Sequence, residues 1–296
     1  MAGLGGLALA SALVLSGCAA GNTSEEVAET ESPAAATGTL VVGSQAYYSN
    51  EIIAEIYAQA LEGAGYEVER QFQIGQRDAY LPELESGAVD VFPEYTGNLL
   101  QFYSPDTTAT QEEEVYAALE GALPEGMTAL AMSSATDQDS YNVTAEFAAE
   151  NGLESIGDLA GVDGLVLGGN PELEERPYGP AGLLETYGVT VSFSGTGDVT
   201  VDALLAGELS IANVYSGDPR IAEFGLVTLL DPEGLFLASN VVPIVSSDLA
   251  AELAAILNPV SEALTSAGLV ALNLQSTKDQ LSAAAIATAW LAENGF

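Results

Sequence analysis

Leu84-Glu-Ser-Gly-Ala-Val-Asp-Val-Phe-Pro-Glu-Tyr-Thr-Gly97 is the stretch on which the fold turns, because the chain repeats its plan in Leu204-Leu-Ala-Gly-Glu-Leu-Ser-Ile-Ala-Asn-Val-Tyr-Ser-Gly217. The two lie over one another without a gap. Leu84/Leu204, Gly87/Gly207, Tyr95/Tyr215 and Gly97/Gly217 are identical pairs, and Val89/Leu209 and Val91/Ile211 are apolar in both. Each copy reads as a helix that closes on a glycine, then a short buried strand that delivers a tyrosine at its C-terminal end. Ligands of open α/β sheets sit beyond the carboxyl ends of the strands. Two such units face to face would bring Tyr95 and Tyr215 into one cleft. The same pattern also fits two tyrosines packed separately in a core.

Outward from these stretches, strands and helices alternate. Thr39–Gly43 reads as a buried strand. Ile52, Ile53, Ile56, Tyr57, Ala60 and Leu61 follow at helical spacing, and Gly63 and Gly65 close the helix. Val68, Arg70, Phe72 and Ile74 alternate as a strand, Asp78 is suited to cap a helix running to about Glu85, and Val89–Phe92 is the next strand. The alternation resumes with strands at 165–167, 189–193 and 209–214 and helices at 181–187 and 199–205. The tail from Asp248 to Asn294 reads as helical, interrupted near Pro259. Strand–helix–strand units in two blocks predict an α/β protein of two similarly built lobes.

The 296 residues are 48% hydrophobic, enough for a sizeable core. With 43 acidic and 5 basic residues the formal net charge is -38. Such a chain repels polyanions, so nucleic acid is not expected as a partner, and attraction of a small cation is the corollary. Leu4–Leu15 is an apolar run too short to span a bilayer and suited to a signal peptide, although no Lys or Arg precedes it. It ends in Leu15-Ser16-Gly17-Cys18, which matches a lipobox, and Cys18 is the only cysteine. These residues predict a signal peptide over 1–18, lipid attachment at Cys18 and, over 19–38, a flexible tether.

The chemistry of most enzymes is missing. The chain has no histidine, which removes the commonest general base and metal ligand. It carries no nucleophile elbow, Walker A loop or dinucleotide fingerprint. Asp137-x-Asp139 hints at calcium but lacks the loop glycine and terminal glutamate of a calcium site. No catalytic residue, metal or cofactor is expected. An extracellular hydrolase using paired carboxylates is the remaining enzyme reading. Tyrosine stands out instead: Tyr47, Tyr48, Tyr95, Tyr141, Tyr178 and Tyr215 lie in or near loops after strands. Aromatic faces can box a trimethylammonium group, which carries charge but offers no N–H.

Several motifs come in order. They are Gly43-Ser44, the helix Glu55-Ile-Tyr-Ala-Gln-Ala-Leu61, Leu84-Glu-Ser-Gly87, Pro93-Glu-Tyr-Thr-Gly97, Pro171-Glu-Leu-Glu-Glu-Arg-Pro177, Gly182-Leu183 and Tyr215-Ser-Gly-Asp-Pro-Arg-Ile221. In these the chain resembles the substrate-binding proteins of osmoprotectant ABC importers, which take glycine betaine, choline or carnitine. The resemblance runs from about Thr39 to the C-terminus. It implies a type II periplasmic-binding-protein fold with a mixed, mostly parallel sheet flanked by helices in each lobe and two strands crossing between the lobes. Lobe one would be 39–136 with 240–296, and lobe two 137–239.

The resemblance also implies a tyrosine cage from both lobes, matched by Tyr95, Tyr141 and Tyr215, with Arg176 meeting a ligand carboxylate. Asn98 and Glu172 join the expected contacts. The chain departs from the family pattern in places: Gln45 stands where a basic residue is usual, Tyr47-Tyr48 where Phe-Thr is, Tyr178 after the arginine, and a fourth ring near Ser239-Asn240 is missing. The expected partners are a quaternary-ammonium compound, an ABC permease and the outer face of the bacterial membrane through the lipid, with the protein itself a monomer. The alternative within the same fold is another small solute, such as a non-quaternary amino acid.

Overall fold

The computed structural model describes residues 38–296. The signal-peptide, lipobox and tether readings, Cys18 among them, fall outside the described residues. The chain opens with β1 (Thr39–Gly43), α1 (Tyr48–Gly63), β2 (Glu67–Gln71), α2 (Arg77–Glu85), β3 (Val91–Tyr95), α3 (Thr96–Tyr103), α4 (Glu112–Ala122) and β4 (Met127–Ala129). A middle block follows: β5 (Asp139–Val143), α5 (Ala145–Asn151), β6 (Val166–Gly169), α6 (Pro180–Tyr187), β7 (Ser192–Gly195), α7 (Thr200–Leu205), β8 (Ile211–Tyr215), α8 (Arg220–Glu223) and β9 (Val227–Thr228). The chain ends with β10 (Val241–Ser246), α9 (Ala250–Ala263), α10 (Ser266–Thr277) and α11 (Ala283–Asn294).

The strands form two five-stranded sheets of the same plan, β2-β1-β3-β10-β4 and β7-β6-β8-β5-β9. In each, the first two ladders are parallel and the last two antiparallel. β3 and β8 occupy the same middle place, which is the physical content of the repeat in the sequence. Gly87 and Gly207 both turn with positive φ (72° and 74°) between the helix and its strand, a conformation that favours glycine.

Alternation along the strands builds a core on both faces of the first sheet. Leu40 and Val42, Val91, Val241 and Val245 pack with α1 and with α9–α11. Phe92, Val242 and Ile244 pack on the other side with α2–α4. α1 is the central helix: Ile53, Ile56, Tyr57 and Leu61 are fully buried, each apolar side chain contributing about 1.5–3 kcal/mol. The second sheet has its own clusters, one around Tyr141, Leu167 and Ile211 and one around Val201, Leu204 and Val214.

Twice the chain passes between the sheets, from β4 to β5 and from β9 to β10. The passing segments are bonded side by side: Val241 N–H donates to Ala135 O (2.9 Å), Thr136 bridges Asn240, and Asp137 N–H donates to Ser239 O (3.3 Å).

Several boundaries differ from the expectation. The strand expected through Ile74 stops at Gln71, because Gln73 takes a left-handed φ of 56° and its N–H turns to Ser44 Oγ. Gln76 holds the N-cap position of α2, and Asp78 sits inside the first turn. Val89 and Val189 precede their strands; their N–H groups close the preceding helices on Glu83 O and Leu183 O. Pro259 lies within α9, and the break comes at Leu264, where the backbone extends before Thr265 caps α10.

Candidate functional site

The carboxyl ends of β3 and β8 face a narrow shared cleft. Tyr95 ends β3 and Tyr215 ends β8, and both line it. Of the ten residues expected to contact ligand, eight line this cleft. Gln45, Tyr47, Tyr95 and Asn98 come from the side of the first sheet; Glu172, Arg176, Tyr178 and Tyr215 come from the second.

Tyr95 is held by a buried charge network. The Glu94 carboxylate, fully buried, accepts from Arg77 Nε (2.8 Å) and Nη2 (3.0 Å), from the Tyr80 hydroxyl and from the Tyr95 N–H (2.7 Å). Burial opposes the charge on Arg77, but Glu94 outweighs it and holds the guanidinium above its ordinary range. Gln45 extends the network, donating from Nε2 to the Tyr80 hydroxyl (3.1 Å). Asn50 donates to Pro93 O (2.8 Å) and to the Tyr95 hydroxyl (3.4 Å), so the ring is tied at its tip as well as its backbone.

Across the cleft, Tyr215 accepts from Asn170 Nδ2 (3.1 Å), and its ring lies 5.0 Å from that of Tyr47 at an interplanar angle of 51°. Tyr178 accepts from Asn98 Nδ2 (3.1 Å). Asn98 also donates to Asp139 Oδ2 (2.8 Å) and accepts from Ser239 Oγ (2.7 Å). Ser239, where the resemblance led to the expectation of a fourth ring, accepts from the N–H groups of Gly97 and Asn98 at the start of α3.

Two expected residues do not reach this cleft. Tyr141 is fully buried: its hydroxyl donates to Tyr178 O and its ring packs edge-on against Phe236 at 5.0 Å, so the segment that carries Tyr178 covers it. Tyr48 faces a second, larger opening that shares Tyr47, Asn170, Asn213 and Tyr215 and continues toward Asp218, Arg220 and Lys278. Arg176 lines the cleft, with Asp78 as its charged partner at 3.7 Å.

Sequence reasoning missed Arg77, Asn213 and the pair Asp137 and Asp139 as cleft residues. Asp137, at the crossing, accepts from the Gly217 N–H (2.9 Å) and the Ser49 hydroxyl (3.1 Å). Burial pushes its carboxyl up to about 7, against the pull of those two donors. Burial also raises Asp139, against the pull of Asn98. The approach of Gly217 is close: a Cβ there would stand 2.6 Å from Asp137 Oδ1. The signals available were the Asp-x-Asp spacing itself and the rarity of bases, since any of 5 in a chain with 43 acids invites a search for its partner. Among the described residues no cluster of three or more potential ligands could hold a metal ion, and no single helix is long and apolar enough to cross a membrane.

Comparison with known proteins converges on one family. A family model described as the substrate-binding domain of ABC-type glycine betaine transport systems matches residues 38–293. The glycine betaine-binding protein YehZ of Escherichia coli (strain K12) is 25% identical over 285 residues, covering 89% of this chain and 93% of that protein. A glycine-betaine-binding protein of Pseudomonas aeruginosa is 25% identical over 275 residues, covering 86% and 88%. The crystal structure of a glycine betaine/carnitine/choline ABC transporter protein superposes with a TM-score of 0.72 at 19% identity, covering 88% of this chain and 99% of that one, which is a likeness of fold.

Proposed function

We propose, for a chain that belongs to the family of substrate-binding domains of ABC-type glycine betaine transport systems, that the cleft captures a quaternary-ammonium compound and hands it to an importer. The observation that carries this is the convergence of Tyr95 and Tyr215, one from each sheet, with Tyr47 and Tyr178 in the same cleft. A trimethylammonium group needs desolvation and negative faces, not hydrogen-bond acceptors; each ring supplies about 0.5–2 kcal/mol. No bond is made or broken in this role.

Capture works by closure. The lobes are 39–136 with 240–296 and 137–239, hinged on the two crossing segments, and the ligand completes the contact between them. Asn98 and Tyr178, bonded at 3.1 Å, and Arg176 with Asp78 join residues across the cleft and favour the closed form. By the same reading the protein works outside the cytoplasmic membrane as a monomer, held by a lipid on Cys18, and its macromolecular partner is a permease. A thermal-shift panel tests the function. A quaternary compound at about a hundred times Kd stabilises by about 2.7 kcal/mol, so choline or glycine betaine should raise Tm while proline does not. A panel in which only proline acts would replace this reading with the amino-acid one.

A further inference from the structure

Resting on the quaternary-ammonium reading, we infer that Asp137 and Asp139 make this cleft select a net cation, a quaternary amino alcohol, over a zwitterion that carries its own carboxylate.

The first ground is charge. Asp137 and Asp139 are 2% and 4% exposed, and neither has a cationic partner. The nearest carboxylates to the five bases are others: Glu55 and Glu62 for Arg70, Glu94 for Arg77, Asp218 for Arg220, Glu223 for Lys278 and, at 3.7 Å, Asp78 for Arg176. A buried carboxylate without a counter-ion is costly, and hydrogen bonds relieve these two only in part. Asp137 has the Ser49 hydroxyl and the Gly217 N–H, with Tyr47 also pulling on it; Asp139 has Asn98 on one oxygen, with weaker pulls from Asn213, Tyr178 and Arg77. A cation bound among the tyrosines supplies the missing charge. Burial holds both carboxyls above their ordinary range, the direction given by enclosure that nearby hydrogen bonds do not fully offset.

The second ground is what a ligand carboxylate would meet. The two arginines that line the cleft each face a carboxylate already. Arg77 spends Nε and Nη2 on Glu94, and Arg176 is shared with Asp78. Against them stand Asp137, Asp139 and Glu172. A further anion adds like charge to a region that excludes water, where repulsion is strong.

The third ground is a hydrogen-bond donor. Asn213 is 8% exposed, lines the cleft, and its Nδ2 donor has no partner. An unpaired buried donor calls for an acceptor, and the oxygen of an alcohol provides one without bringing a negative charge.

Calorimetric titrations at pH 8 decide the matter, with choline and glycine betaine as ligands for the wild type and for Asp139→Asn. Choline should bind at least tenfold more tightly than glycine betaine to the wild type, and Asp139→Asn should shrink that ratio to within threefold. Equal or tighter binding of glycine betaine by the wild type overturns the inference and leaves the quaternary-ammonium reading standing. Binding of neither overturns both. The wild-type ratio needs no variant, so the test holds even if Asp139→Asn folds poorly.

Discussion

The Arg176 guanidinium stands 3.7 Å from the Asp78 carboxylate, and the two residues reach each other from segments that carry different sheets. Asp78 is 69% exposed at its side chain, so the pair sits at the rim, where an ion pair contributes about 0–1 kcal/mol and salt screens it. Asp78→Asn should therefore weaken ligand binding by less than about fivefold at low salt, and the loss should vanish at 1 M salt. If Arg176 acts only through Asp78, the double variant Asp78→Asn/Arg176→Ala binds like either single one. An Arg176→Ala single variant much weaker than Asp78→Asn would give Arg176 a direct ligand contact.

Tyr95 and Tyr215 should each matter to affinity, and Tyr95, which also packs in the core cluster of the first sheet, should matter to stability as well. Replacing either by alanine is expected to cost about 1–2 kcal/mol of binding, or about 5- to 30-fold, measured by titration calorimetry. Tyr141→Phe should show a different pattern. It removes the hydroxyl that holds Tyr178 O, so denaturant unfolding should register a loss of about 1 kcal/mol, with affinity changed by less than about threefold.

Glu94 serves the site by holding Tyr95. Glu94→Ala would leave Arg77 charged and buried without its partner, a change that typically costs about 3–5 kcal/mol. The expected outcome is a large drop in the denaturant midpoint. A stability close to wild type would show that Arg77 finds water or another acceptor.

Asp137 predicts a pH dependence of the ligand-free protein. Its folded carboxyl titrates at about 7, raised by burial from an ordinary 3.8, with Asp218 adding to the rise. Tyr47, Tyr95 and Tyr215 stay neutral beside it, and Arg220 is clamped by Asp218. The folded state therefore holds this proton more tightly than the unfolded chain. Stability from this group is intact below about pH 4, is lost as pH rises toward 7, and amounts to at most about 4 kcal/mol. Asp137→Asn should match the wild type near pH 4 and exceed it at pH 8. A difference in Tm that does not change with pH would contradict this.

Much of the fold was legible because both sheets are built on one plan, and the Leu-Gly-Tyr-Gly repeat marks the same strand in each. The boundaries slipped where turns took over N–H groups that the apolar pattern had assigned to strands, as at Val89 and Val189. The cleft was legible through strand-end tyrosines but not through its charges. Nothing in a one-dimensional pattern tells that Arg77 would turn inward to Glu94, that Asp78 would meet Arg176, or that Asp137 would be enclosed between Ser49 and Gly217. Tyr141 was expected through the family resemblance, and a matched motif does not tell that the segment with Tyr178 and Phe236 folds over its ring.

The most direct measurement is a calorimetric titration of choline into the wild-type chain and into Tyr95→Ala/Tyr215→Ala. A single saturable site in the wild type, weakened at least about twenty-five-fold in the double variant while its melting transition stays cooperative, is the predicted result. Identical isotherms for the two proteins, or no binding of any quaternary compound to the wild type, would contradict capture by a tyrosine-walled cleft.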